Sequence, residues 1–158
     1  MPVFHFGSYV YFALKGDDFD PAEVTARLGV APTHTWRTGN PTRYGDRRWQ
    51  CSGWKLETPK GADPLDLDKS VTAIVAQLED RTAAIVAVKA QFGLASVLEI
   101  VLYVDVNEDA FTPALGHDLR TIDFLYHTRT TTDVDIYRYD SGNEDYLGIP
   151  SFTPAEGV

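Results

Sequence analysis

The sequence predicts a single α+β domain in which two βαβ halves surround a mainly antiparallel sheet, with helices on one face. Strand-like and helix-like segments follow one another in the order β-α-β, a helical segment, then β-α-β. The length of 158 residues suits one domain with a continuous core. The hydrophobic fraction of 44% and the aromatic fraction of 12% are typical of a globular protein.

The chain begins with a strand over residues 8–15, where the pattern alternates with a period of two. One face carries Val10, Phe12 and Leu14, and the other carries Tyr9, Tyr11 and Ala13.

A short helix is expected to follow from Asp20. The Asp20 side chain can cap the first helical N–H groups, and Pro21 suits the first helical position. Val24 and Leu28 supply a buried stripe, and Gly29 ends the helix.

The middle of the chain contains one irregular region, one strand and one helical region. Residues 33–48 hold too many turn formers for a regular element. A second strand is expected over residues 49–57, followed by a loop over 58–64. Apolar positions then keep helical spacing over residues 68–92, and a polar cluster at 79–82 leaves open whether they form one helix or two.

The second half of the chain contains the strand with the clearest pattern. In the strand expected over residues 96–106, the even positions from 98 to 106 are all apolar and the odd ones are largely apolar, which predicts a central strand. A short helix is expected next over residues 120–127. It is followed by a closing strand over residues 132–139, in which one face is expected to be exposed to solvent. The domain then spans residues 1–140, and residues 141–158 are expected to form a tail or arm.

The two halves repeat one pattern. Residues 9–21 and residues 100–113 both run from an apolar strand through an acidic turn and a phenylalanine to a proline at a helix start. Two such halves interleaved in one sheet would form a ferredoxin-like fold, and other α+β layerings stay open. The exposed edge of the closing strand leaves both a monomer and a homodimer open.

The formal net charge of −9 is unevenly distributed. Residues 34–49 carry four arginines against one aspartate, a charge of +3, which leaves −12 for the rest of the chain. An acidic surface repels phosphate, so neither nucleic acid nor an anionic membrane is expected as a partner. The longest apolar run, residues 100–104, is far too short to span a bilayer.

The sequence predicts no metal, no cofactor and no reaction. The four histidines lack zinc-ligand spacing, and the acidic turns lack the pattern of a calcium loop. No nucleophile or phosphate-loop motif is present. One cysteine, Cys51, leaves no intramolecular disulfide, and the first residues lack the features of a signal peptide, so a cytoplasmic location is expected.

The candidate binding site is the arginine- and tryptophan-rich segment 35–49 together with a tryptophan downstream. Guanidinium groups form bidentate hydrogen bonds with carboxylate or phosphate and stack on indole rings. The candidate residues are Trp36, Arg37, Gly39, Arg43, Arg47, Arg48 and Trp54. The alternative is structural, with the tryptophans covering the core and the arginines neutralising carboxylates of the same protein.

Several short motifs resemble the bacterial family known as domain of unknown function 4279. They are residues 9–14, Asp20-Pro21, Leu28-Gly29, Trp36-Arg37-x-Gly39, Trp54, residues 100–104 and residues 134–137. The resemblance covers roughly residues 8–140. It implies a compact bacterial α+β domain without an assigned activity, and it provides no catalytic residue.

Two functions are expected from these observations. The first is a non-catalytic protein-interaction module of the inhibitor or immunity type, whose acidic body would bind a basic protein. The second is a small domain that binds or senses an anionic ligand through the Arg/Trp segment. An enzyme is a third class, for which no catalytic constellation is recognised.

Overall fold

The computed structural model describes residues 7–60 and 66–143. Part of the loop predicted for 58–64 and most of the tail predicted for 141–158 lie outside these ranges. Within them, no helix has the length and apolar composition needed to cross a bilayer.

The strands form one five-stranded mixed sheet. They are β1 (Tyr9–Gly16), β2 (His34–Trp36), β3 (Ser52–Glu57), β4 (Ala95–Asp105) and β5 (Thr131–Tyr139). The strand order is β2-β3-β1-β4-β5. Neighbours are antiparallel except for β4 and β5, which are parallel. The prediction of a mainly antiparallel sheet in an α+β domain is confirmed.

The helices of the described ranges are α1 (Pro21–Leu28), α2 (Leu67–Leu78), α3 (Thr82–Phe92) and α4 (Leu119–Thr128). The start of α1 is as predicted, because the Asp20 carboxylate accepts from the Ala22 N–H at 3.0 Å. Gly29 ends this helix with a φ of 65°. The region predicted over residues 68–92 is two helices, α2 and α3, joined by a single 3₁₀ turn at Glu79–Arg81.

The helices pack on one face of the sheet, as predicted. Alternate residues of the three central strands are buried with helical side chains in one cluster. The strand residues of this core are Val10, Phe12, Leu14, Trp54, Leu56, Leu98, Ile100 and Leu102. Trp54 is fully buried in it, and its Nε1 donates a hydrogen bond to Thr25 Oγ1 at 3.0 Å.

The two βαβ halves lie side by side in the sheet and are not interleaved as a ferredoxin-like arrangement requires. In the first half, β3 lies between β1 and β2 and is antiparallel to both, so this half is a split βαβ unit. In the second half, α4 connects the adjacent parallel strands β4 and β5. The β4 strand is central, as predicted, and β5 is an edge strand.

The prediction that residues 33–48 contain no regular element is wrong at β2. His34, Thr35 and Trp36 pair with β3, and an isolated bridge joins Pro41 to Arg48. A three-residue strand is too short to show a period in the sequence, so it is defined by its partner. The strand predicted over residues 49–57 begins at Ser52, because the backbone of Trp49 forms its hydrogen bonds with Gly39 and Asn40 of the loop.

Candidate functional site

The face of the sheet opposite the helices carries polar and aromatic side chains. On this second face, Tyr11 of β1 lies directly opposite Glu57 of β3 and Glu99 of β4. Tyr9 lies opposite Val101, and Val101 lies opposite Asp135 of β5. Strand alternation therefore builds this face from the residues between those that form the core.

A groove with a volume of about 270 Å³ crosses this face. It is lined by aromatic rings, by four cationic side chains and by two carboxylates. The lining residues are Tyr9, Tyr11, Lys15, Thr33, His34, Trp36, Arg43, Trp49, Cys51, Lys55, Glu57, Lys60, Val101 and Asp135.

One wall of the groove is a stacked pair of indoles. The rings of Trp36 and Trp49 stack with their centroids 4.7 Å apart. Trp36 lies on the backbone of Gly53, where a Cβ atom would approach its ring to 2.0 Å, so only glycine fits at that position. Trp36 is 8% exposed, and its buried Nε1 has no acceptor within residues 7–60 and 66–143. An indole N–H in this state is an unused hydrogen-bond donor.

The floor of the groove combines tyrosine rings with lysine ammonium groups. Lys55 Nζ lies 4.7 Å from the centroid of Tyr11, and Lys60 Nζ lies 4.9 Å from the centroid of Tyr9. Lys55 Nζ also forms an ion pair with Glu57 at 2.8 Å. Burial raises the pKa of both tyrosine hydroxyls well above the usual range, so both stay neutral hydrogen-bonding groups.

Glu99 is a buried carboxyl beside the groove. It is 6% exposed and lies between Tyr11 of β1 and Asp133 of β5. Burial raises the pKa of Glu99 to about 7, and the negative charges of Asp135 and Asp133 and a hydrogen bond with Asp135 act in the same direction. Its Oε1 atom has no hydrogen-bond partner in the described part of the chain.

The structure brings two of the predicted site residues, Trp36 and Arg43, together in the groove. The guanidinium of Arg43 donates to the hydroxyl of its neighbour Tyr44, with Nη2 and Oη 2.7 Å apart. Trp49, which belongs to the predicted segment, completes this end of the groove.

The remaining predicted residues lie elsewhere. Arg37 is in an ion pair with Asp18 at 3.5 Å, on a different depression of the surface. Arg48 donates to the Gly39 carbonyl at 3.2 Å, where Gly39 forms a turn with a φ of 82°. Arg47 is exposed on the loop, and Trp54 is buried in the core on the opposite face of the sheet. None of these five predicted residues lines the groove, so the arginines do not form one cluster there.

Sequence reasoning missed the tyrosines, Lys55 and Asp135 as groove residues, and it missed Glu99 beside the groove. Two signals were present: Tyr9 and Tyr11 share the face of β1 that the core does not use, and Glu99 is the only charged residue in the apolar run 94–104. A charge inside a central strand is an unusual feature that often marks a site. Within the described ranges, no three His, Cys, Asp or Glu side chains are grouped as a metal site would require.

The fold and the groove define a small α+β domain with a ligand-sized cavity on the exposed face of its sheet. The model of the family Domain of unknown function (DUF4279) matches residues 6–139, and the chain belongs to this family. The predicted membership is thereby confirmed. Neither a curated protein nor a solved structure matches the chain at a significant level.

The raised pKa of Glu99 predicts how stability depends on pH. The carboxyl has a pKa of 4.5 in the unfolded chain and about 7 in the folded protein, so the folded state holds the proton more tightly and loses stability as pH rises between these values. Relative to Glu99→Gln, the wild type should lose about 2–3 kcal/mol of unfolding free energy between about pH 5 and about pH 8.

Urea unfolding of both proteins at the two pH values measures this difference. Glu108→Gln, at an exposed glutamate outside the groove, is the matched control and should follow the wild type. Parallel pH profiles for the wild type and Glu99→Gln would show that Glu99 is ionised in the folded protein, contrary to this assignment.

Proposed function

We propose that this protein is a non-catalytic binding domain that takes a small anionic ligand in the groove. The observation that carries the proposal is the unused donor of Trp36, a residue that lines the groove and whose buried Nε1 has no acceptor in the described residues. A carboxylate or phosphate oxygen is the acceptor that such a donor would bind most strongly.

The charges that line the groove support an anionic ligand. Four cationic side chains line it against two carboxylates, on a chain whose net charge is −9. The cations are Lys15, Arg43, Lys55 and Lys60. A local positive potential on an acidic body attracts small anions and repels large polyanions such as nucleic acid.

The aromatic rings and the size of the groove favour a small, partly flat ligand. Tyr9 and Tyr11 on the floor and Trp36 and Trp49 in the wall offer apolar ring surfaces beside polar groups. A volume of about 270 Å³ suits a molecule smaller than most drug-sized ligands.

Binding is proposed in preference to a reaction. Glu99 has the raised pKa that many acid–base catalysts share, and Cys51 lines the groove with a partly buried thiol. A perturbed carboxyl alone also occurs in structural networks and does not define a reaction. The free thiol supports the further proposal of a reducing compartment, the cytoplasm of a bacterial cell.

Lys55→Gln tests the anion site. Two aromatic carboxylates, phenylacetate and N-acetylglycyl-phenylalanine, should shift the indole N–H resonance of Trp36 in a two-dimensional NMR titration. Loss of the Lys55 charge should weaken their binding by about three- to tenfold, because the ammonium is a charged donor in a half-buried site. Lys69→Gln, at an exposed lysine of α2 on the other side of the sheet, is the matched control. If neither carboxylate shifts the Trp36 resonance, the proposed site is wrong.

A second candidate function is a protein-interaction module for a basic partner. It is supported by a line of exposed apolar side chains on α4, where Leu119, Ile122 and Tyr126 are 79%, 48% and 61% exposed. Their spacing places them along one side of the helix. The remainder of the chain outside residues 34–49 carries a net charge of −12, which favours a partner of opposite charge.

Ile122→Asp tests this second function. A basic protein recovered on the immobilised domain, once purified, should bind the wild type with an affinity that falls as salt is raised. The same partner should bind Ile122→Asp about tenfold or more weakly, since buried apolar anchors dominate interface energetics. Val106→Asp, at a similarly exposed apolar residue after β4, should bind normally. Binding that is unaffected by salt and by Ile122→Asp would rule out this surface.

A further inference from the structure

We propose that Asp135, which lines the groove, and the buried Glu99 beside it form a second subsite for a cationic group, so that the ligand is a zwitterion of the short-peptide class. This inference rests on the proposed function, because it assigns the acidic side of the same groove. The anionic end of the ligand would lie at Lys55 and Trp36, and its ammonium group would lie at the carboxyl pair.

The geometry of the carboxyl pair points to a missing donor. Asp135 is exposed and lines the groove, while Glu99, on the neighbouring strand, is 6% exposed. The two carboxyls lie close enough for a hydrogen bond when one of them is protonated, and Oε1 of Glu99 has no partner in the described residues. A buried acceptor without a donor is costly, and an ammonium group can satisfy it because each of its three N–H groups donates.

The surroundings of Glu99 are more negative than positive. The charged or titratable groups that act on it from β1 and β5 are Tyr11, Lys15, Asp133, Asp135 and Tyr137. Lys15 favours the ionised form of Glu99, and the two aspartates disfavour it. A cation bound at the pair would offset the repulsion among the carboxyls of Glu99, Asp133 and Asp135. The electrostatic surroundings of the pair therefore favour a positively charged ligand group.

The distance between the two ends of the groove fits a dipeptide. Lys55 lies opposite Ala13 and Glu99 lies opposite Tyr11, two residues away along β1, so their backbones are roughly 12 Å apart. The Lys55 Nζ atom lies 4.7 Å from the centroid of the Tyr11 ring. An extended dipeptide spans about 7 Å, which the lysine side chain can complement.

Ammonium binding is expected to displace a proton. Below about pH 7 the pair holds a proton that the ammonium group competes with, so binding releases it to the buffer. Release of a proton therefore distinguishes binding at the carboxyl pair from binding at the cationic side of the groove alone.

Three matched probes test the proposal by calorimetry in buffers of different ionisation enthalpy near pH 7. They are glycyl-phenylalanine, N-acetylglycyl-phenylalanine, which lacks the ammonium group, and glycyl-phenylalaninamide, which lacks the carboxylate. Glycyl-phenylalanine should bind about tenfold more tightly than its N-acetyl form and should release roughly half a proton. The N-acetyl form should release none.

Glu99→Gln should bring the affinity for glycyl-phenylalanine to within about twofold of that for the N-acetyl form and abolish proton release, with N-acetyl binding unchanged. Asp135→Asn, at an exposed position of the edge strand, should reduce both the affinity difference between the two probes and the proton release. This variant keeps the test valid if Glu99→Gln does not fold. Glu108→Gln should behave as the wild type.

The outcomes separate the two proposals. If the dipeptide and its N-acetyl form bind equally well, or if their difference survives both Glu99→Gln and Asp135→Asn, the cation subsite is wrong and the anion site stands. If neither carboxylate-bearing probe binds, the proposed function fails and this inference fails with it.

Discussion

Burial of Glu99 beside Asp135, in the middle of the second face, is the constraint on which the properties of the groove depend. A carboxyl at a central strand position is removed from water by the strands around it, and its aspartate neighbours oppose its ionisation. An apolar residue there would avoid this cost. A buried carboxyl at this position is consistent with a role in ligand binding, because natural proteins keep destabilising residues of this kind mainly at functional sites.

The same two-residue alternation that buries one face of the sheet exposes the other. In β3, Gly53 and Trp54 are neighbours and therefore point to opposite sides: Trp54 enters the core, while Gly53 leaves space on which Trp36 lies. The second face thus receives an indole wall from β2 and from the loop before β3. The loop between β2 and β3, which carries the four predicted arginines, contributes Arg43, Trp49 and Cys51 to the groove.

Local patterns in the sequence predicted most of the fold. The alternation in β1 and β4, and the residues at the two ends of α1, lie in single short segments and need no partner to be recognised. The β2 strand and the insertion of β3 between β1 and β2 could not be predicted, since both depend on pairing between distant segments. The groove was predicted only in part for the same reason, because its residues come from all five strands and three loops. Trp36 and Arg43 of the predicted segment 35–49 do line the groove. Arg37 lies in another surface depression, and Trp54 is buried in the core.

The protonation state of Glu99 is the central claim, and it can be measured directly. In protein labelled with ¹³C at the glutamate side-chain carboxyls, the Glu99 resonance is assigned by its absence in Glu99→Gln and followed as pH is varied. This carboxyl is expected to titrate with an apparent pKa of about 7. A midpoint near 4.5, the value of an ordinary glutamate, would contradict it.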